Sequence, residues 1–448
     1  MPERPKPAPE HLLPNKDTQV EDRDSTEVTA ADTRNRRVDF LREKMEALFE
    51  GERNKELRAE IEQSFLVPQW GEYHNEGTLM DSHLKLIFDN IDAVERGEFA
   101  EGLSEQTRAA LSRAVEHDRE AVEKYVFLHD ISKKDTLTLK FDSPEAAQAA
   151  GLTDAEGKDV AVTWEQYQAL LAQHADGALA LQGDEEAMGR WSKNIGLKAV
   201  GYFQPERKHG DVGSEALQSM GVDVDTTTLV AIERHEDAFS YQFVDPDRYL
   251  RNYHDIDNEG RDMALLASYV DTMGSLGRDG NPQLQNFELL AASKEKLEQV
   301  RRFLEKLGAE PKQVDAAFGG YVTNRREERN HARKPLIDLF KKLAKENGLT
   351  AKSAQALEKL MFNKEELRAE DLEDTLAEFK EQYAMPSYDR GALLEGLQEI
   401  IDERFTAEDA EALADMALDN PDMIGKNFGR KLGRNMRTLQ GILKAAQK

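Results

Sequence analysis

The chain contains no cysteine. Disulfides, cysteine-ligated zinc and iron–sulfur sites are excluded, so any metal must be held by histidine and carboxylate. Long apolar runs are missing too. No stretch approaches the roughly 18 residues that a membrane span requires, and the opening Met1-Pro-Glu-Arg-Pro-Lys-Pro-Ala-Pro-Glu10 has no apolar core for export. A cytoplasmic protein with no membrane partner is expected. Positive charge is in short supply: 60 Lys and Arg stand against 87 Asp and Glu, a formal net charge of −27. A surplus of carboxylates repels a polyanion, which argues against generic nucleic-acid binding unless basic residues cluster locally.

What is present reads as a soluble chain. It has 39% hydrophobic and 33% charged residues over 448 positions, enough for two or three domains that each bury a core. Residues 1–33 are rich in Pro, Asp, Glu, Lys and Thr, with too few large apolar side chains to offset ordering entropy, and are expected to be a disordered tail. From Arg36 the spacing becomes helical. Phe40, Leu41, Met45 and Leu48 form one apolar stripe, Leu57, Ile61 and Phe65 a second that Pro68 stops, and Leu84, Ile87, Ile91 and Val94 a third. Alternation in Asp135-Thr-Leu-Thr-Leu-Lys-Phe141 and Asp159-Val-Ala-Val-Thr-Trp164 predicts two short strands paired as a hairpin. They belong to an insertion over about 135–201, in which helices resume at Trp164 and Glu185. The predicted class is all-α: a helical bundle over 34–285 with the small β-hairpin insertion, then a helical C-terminal domain over 286–448.

One stretch concentrates chemistry. Tyr125-Val-Phe-Leu-His129-Asp130-Ile-Ser-Lys133 sets a neutral nitrogen beside a carboxylate, donors that a borderline cation such as Mn, Fe or Zn accepts together. Leu111, Val115, Val122, Val126 and His129 recur at helical spacing, which turns His129 towards a core. Two further His-Asp pairs read differently: His117-Asp118 lies among charges, and His254-Asp255 in a polar run with turn chemistry. His83 stands at the edge of the third stripe, and His74 on the loop before it reads as solvent-facing. His209 recurs with Gly213 and Leu217, where small residues let another backbone come close. Asp225-Thr-Thr-Thr228 starts a helix that puts Thr228, Ala231 and His235 on one side. Asp271 lies in a stripe of small residues with Ala264, Ala267 and Gly274, where a buried carboxylate needs a partner.

In chain order, His83, His129-Asp130 with Lys133, His209, His235 and Asp271 resemble the HD superfamily of metal-dependent phosphohydrolases, whose signature is a helical His, a helical His-Asp and a later Asp. The resemblance covers roughly residues 36–285. Gly77 before His83 and the Ala267-Ser-Tyr-Val-Asp271 turn are similar to family features, and the pair His209 and His235 resembles the subset with two metals. The resemblance implies two divalent ions (Mn, Fe, Ni, Mg or Zn) bridged by Asp130, with His83, His129 and Asp271 on one and His209 and His235 on the other. It also implies that Lys133 points its ammonium at a phosphate, with Arg234, Lys208 and Arg207 as further anion contacts and Glu236 and Asp237 orienting ligands. The expected substrate is a phosphate-containing small molecule or a nucleic-acid end, cleaved at a phosphoester or phosphoanhydride by metal-activated water. Three family variations are missing, and their substrates are less expected: the Glu-Asp pair of (p)ppGpp hydrolases, the Gly-Tyr-Pro signature of cyclic-di-nucleotide enzymes and the His-Asp-x-Gly-His run of dNTP triphosphohydrolases. The rival reading is a non-catalytic scaffold that contacts RNA or a protein through the C-terminal helices. Its basic end carries Lys426, Arg430, Lys431, Arg434, Arg437, Lys444 and Lys448 without one acidic residue.

Overall fold

The computed structural model describes residues 30–69, 74, 76–152, 157–182, 184–202, 209–239, 246–275, 284–324, 333–362, 372–419 and 421–448, and at His209 the backbone alone. Helix α1 (Ala30–Leu48) begins inside the stretch expected to be disordered; residues 1–29 lie outside the described residues. Its Leu41 and Met45 face inward with Leu57 and Ile61 of α2 (Lys55–Ser64), as the apolar spacing requires. Helices α3 (Met80–Glu95), α4 (Glu105–His117) and α5 (Arg119–Leu128) follow. Ser104 and Asp118 cap the last two, accepting from the Thr107 and Ala121 N–H groups.

The insertion holds the expected hairpin and one strand more. Strands β1 (Thr138–Phe141), β2 (Asp159–Ala161) and β3 (Leu197–Gly201) form an antiparallel sheet in the order β2-β1-β3, with Leu139 opposite both Val160 and Val200. Between them run α6 (Pro144–Ala149), α7 (Trp164–Ala172), α8 (Ala175–Ala180) and α9 (Glu185–Ile195). The chain leaves α9 through Gly196 at φ 68°, a left-handed cap that glycine adopts without a Cβ clash. β3 starts at the very next residue, so its short alternation is masked by the preceding helical pattern.

Helices α10 (His209–Ser219), α11 (Thr226–Arg234), α12 (Pro246–Tyr253) and α13 (Asn258–Gly274) complete the site region. Asp225 caps α11 as expected, accepting from the Thr228 N–H. Every residue of α13 from Gly260 to Thr272 is buried, which makes it the hub against which α3, α4 and α11 pack.

The core does not divide near residue 286. Phe287, Leu290, Val300 and Phe303 of α14 (Leu284–Lys306) belong to the same core as Leu41. That core continues through α15 (Pro311–Asn324), α16 (Lys334–Glu346), α17 (Ala351–Phe362) and α18 (Leu372–Tyr383). A second core, from Leu393 to Ala446, is enclosed by α19 (Arg390–Leu397), α20 (Ala407–Asp419), α21 (Ile424–Leu432) and α22 (Met436–Ala445). The basic end is therefore not a tail, since Phe428, Leu432, Leu439 and Ile442 fill that core. No described helix is long and apolar enough to cross a membrane.

Candidate metal centre

His129 and Asp130 do not sit within a helix, as the spacing suggested, but just past the end of one. His129 is the C-cap of α5, and its N–H still reaches the Tyr125 carbonyl at 2.9 Å. Its ring Nδ1 donates to the Val126 carbonyl at 2.9 Å, which satisfies an orphan acceptor of the last turn and leaves Nε2 facing the site. His235 repeats the device as the C-cap of α11, with Nδ1 donating to the Ile232 carbonyl at 2.7 Å. Two helix C-termini, the negative ends of their dipoles, thus converge on one place, and a cation is the charge they favour.

His83 enters from the first turn of α3 and Asp271 from α13, 188 residues later. His83 Nε2 lies 3.0 Å from Asp271 Oδ1 and 3.7 Å from Asp130 Oδ2, and His129 Nε2 lies 3.0 Å from Asp130 Oδ2 and 3.7 Å from Asp271 Oδ1. All four residues are at least nine-tenths buried. Gly274 makes this packing possible, because a Cβ there would stand 3.3 Å from His83 Nδ1 and 2.9 Å from Ile87. Lys133 adds its ammonium 2.7 Å from Asp130 Oδ2 and 4.6 Å above the Tyr202 ring, supplied by the residue after β3. It is buried against the site, neither solvated nor turned outward.

The electrostatics follow from crowding. Burial would depress the pKa of His83, but hydrogen bonding to Asp271 and the neighbouring Glu76 overcome it and raise the value to about 9. Burial alone would likewise lower His129, and the Asp130 and Asp271 carboxylates reverse that. Asp271 is held well below the usual carboxylate range because His129 and His83 outweigh its desolvation. Two imidazole nitrogens and two carboxylates buried together are a donor set that suits a divalent cation. His83, His129 and Asp130 present donor atoms within 4.8 Å of one another, so these buried groups can hold a metal ion.

Glu76 and His74 are neighbours of the cluster that the sequence reading missed. His74, expected to face solvent, is half-buried, its ring 5.8 Å from that of His83 and 6.4 Å from that of Tyr202. Glu76 accepts from His74 Nδ1 at 2.9 Å and lies 3.3 Å from His83 Nδ1. Burial opposes its charge, yet the two histidines pull its pKa down to about 2. An ionised carboxylate behind a histidine fixes its tautomer and aims its other nitrogen. His74, Glu76 and His83 also form a second group spaced to hold a cation.

The remaining expectations divide. His235 joins the cluster, buried, its ring 5.2 Å from that of His129 and nearly perpendicular to it. His209 opens α10, and the adjacent Gly210 brings that helix against α11: a Cβ there would lie 2.7 Å from the Ile232 carbonyl and 3.5 Å from His235. The side chain of His209, with Arg207 and Lys208, lies outside the described residues. Arg234 stands over the Tyr253 ring at 5.9 Å, and Asp237 accepts the Tyr253 hydroxyl at 2.8 Å, so neither is shown at the cluster. His117 is exposed beside Glu259, and His254 packs near Gly319; both stay apart from the site. Comparison with known protein families, curated proteins and solved structures finds no match to this chain.

Proposed function

We propose that this protein is a metal-dependent phosphohydrolase that cleaves a phosphoester or phosphoanhydride of a nucleotide or nucleic-acid end. The observation that carries the reading is the convergence of His83 Nε2 and His129 Nε2 on Asp130 and Asp271, with the Lys133 ammonium 2.7 Å from the same Asp130 oxygen. The chain order of these donors is the one that the HD-superfamily resemblance implies, and it supports the reading. His83, His129, Asp130 and Asp271 would hold the cation. When bound, it supplies a Lewis acid that makes water acidic enough to ionise near neutral pH and draws charge from a phosphoryl oxygen.

The protein's own groups do the rest. Lys133 brings a fixed positive charge to the edge of the donor set, and the Tyr202 ring above it keeps that charge aimed inward and sheltered from solvent. An anionic phosphate is drawn to such a cation, while Glu76 holds His83 in the orientation that its ligand role needs. His235 and His209 would hold a second cation. The approach of α10 to His235 at Gly210 supports that binuclear arrangement.

Metal-stripped protein resupplied with Mn, Fe, Ni or Mg and challenged with nucleotides, dinucleoside polyphosphates and end-phosphorylated oligonucleotides tests the reading. Turnover of at least one substrate should return with the metal and be lost in Asp130→Asn while the circular dichroism spectrum is kept. An Asp130→Asn protein that binds metal and turns over like the parent overturns it. Elemental analysis counts the ions, and a ratio that stays near one per chain in excess Mn or Fe removes the second cation.

A further inference from the structure

His83 has a second polar neighbourhood, on the edge of its ring that faces away from Asp271. Nε2 lies 3.0 Å from Asp271, whereas Nδ1 lies 3.3 Å from Glu76 Oε1. The loop that brings Glu76 there is closed by two backbone bonds, from the Gln69 N–H to the Thr78 carbonyl and from the Met80 N–H to the Val67 carbonyl, both at 2.9 Å. Gln69, His74 and Glu76 meet beside the first turn of α3. The side chains of Gln69 and Glu76 are fully buried, and that of His74 is 17% exposed.

The contacts inside this group cannot all be hydrogen bonds. His74 Nδ1 lies 2.9 Å from the Gln69 amide nitrogen and 2.9 Å from Glu76 Oε1. A ring nitrogen carries either a hydrogen or a lone pair. With a hydrogen it serves the carboxylate and opposes the amide N–H, and with a lone pair it serves the amide and opposes the carboxylate. Turning the amide over only makes its oxygen compete with Glu76 for one hydrogen. Two buried acceptors are left over as well, since Gln69 Oε1 and Glu76 Oε2 have no hydrogen-bond partner among the described residues. Burying an acceptor without a partner is costly, so this group calls for a ligand that brings positive charge.

We propose that the Gln69 amide oxygen, His74 Nδ1 and the Glu76 carboxylate hold a divalent cation of their own, separate from the ion of the His83–Asp271 centre. This goes beyond the hydrolase reading and does not rest on it. A cation accepts a lone pair from all three groups at once, which no tautomer of His74 allows. Adjacent ligands about 2.1 Å from one ion stand roughly 3.0–3.4 Å apart, close to the 2.9 Å spacings around His74 Nδ1. One imidazole nitrogen with a carboxylate and an amide oxygen is a mixed set that suits Mn or Zn and not the softer ions that favour sulfur. His83 is not needed as a ligand here: its Nδ1 keeps its hydrogen towards Glu76 while Nε2 serves the first centre.

The test counts ions by residue. Metal-stripped full chain is dialysed against Mn at several concentrations and the bound metal measured by elemental analysis, for the parent and for Asp271→Asn, each with and without His74→Ala or Gln69→Leu. His74→Ala and Gln69→Leu should each remove about one Mn per chain in both backgrounds, with the thermal transition of the stripped protein retained. Gln69→Glu carries the opposite expectation. A carboxylate in place of the amide should tighten this ion at least about tenfold, and it should lower the melting temperature of the stripped protein, a loss that Mn reverses. A residue that only packs the loop would show the loss without the recovery. Counts unaltered by His74→Ala and Gln69→Leu, or no His74-dependent ion in the Asp271→Asn background, overturn the proposal. The hydrolase reading is judged apart from it, by turnover of the resupplied parent.

Discussion

The helices around His83 and those after Tyr388 are built from similar apolar stripes, but they place their charges in opposite ways. Around His83, four ionisable donors from three separate segments are driven together inside the core, with Lys133 and Glu76 behind them. After Tyr388, the second core is wholly apolar, and charge stays on the surface in pairs such as Arg390 with Asp415 at 2.9 Å and Lys431 with Asp409. Burying charge is costly unless it is matched, so the first arrangement is retained where a ligand matches it, whereas the second needs nothing beyond packing. Buried charge and purely apolar packing are thereby assigned to different places in one chain.

The largest expected effect separates the two regions outright. Phe405 is fully buried in the second core, and Phe405→Ala should cost about 3–5 kcal/mol, enough to melt a unit of this size. Calorimetry should show a low-temperature transition while the metal content per chain is unchanged; a matching loss of metal would mean that the regions are coupled. Next comes Glu76→Gln, which keeps the shape but removes the charge behind His83. Metal affinity, measured by competition with a chelator, should fall about 10- to 100-fold with the second core unaffected. Unaltered affinity would reduce Glu76 to a packing residue.

Gly396→Ala sharpens the comparison from the other side. A methyl group there meets Ile442, so overpacking should cost about 1–3 kcal/mol in the C-terminal transition alone. The smallest effect is a pH slope. His83 has its pKa raised above the ordinary histidine value to about 9, so its stabilising contribution is complete below about 6.5 and is lost as pH rises through about 9. Metal-stripped protein should therefore melt at a lower temperature at pH 9 than at pH 7, and saturating Mn should remove the difference, because the cation takes the place of the proton. A melting temperature that rises over that range would contradict the hydrogen bonding of His83 to Asp271.

Much of this was legible in the sequence because helical periodicity is a strong signal. His83, His129, His235 and Asp271 were found from their positions on or next to apolar faces, and the helix start at Asp225 from its capping chemistry. What escaped lies where periodicity is absent. Glu76 and His74 occupy a loop, and only the spacing of an acid two residues after a histidine, ahead of a ligand helix, could have drawn attention to them. The placement of His129 at a helix end was missed because a C-cap continues the spacing of its helix by one more residue. The alternation of β3 was too short to stand out after α9. The end of the chain was read by its charge, which hid the Phe428, Leu432, Leu439 and Ile442 stripe that makes it half of a folded unit.

The distance along the chain between His83 and Asp271 bears on how the protein is made. With 188 residues between them, a ribosome adding about 5–20 residues per second needs roughly 10–40 s after delivering α3 before α13 exists. During that interval the nascent chain carries two histidines and one carboxylate of the set but not the carboxylate that draws the histidines together. A cation that needs all four donors would then be captured only after α13 has been made, and the choice among competing metals would fall to the assembled cage and not to whichever ion first meets the emerging α3.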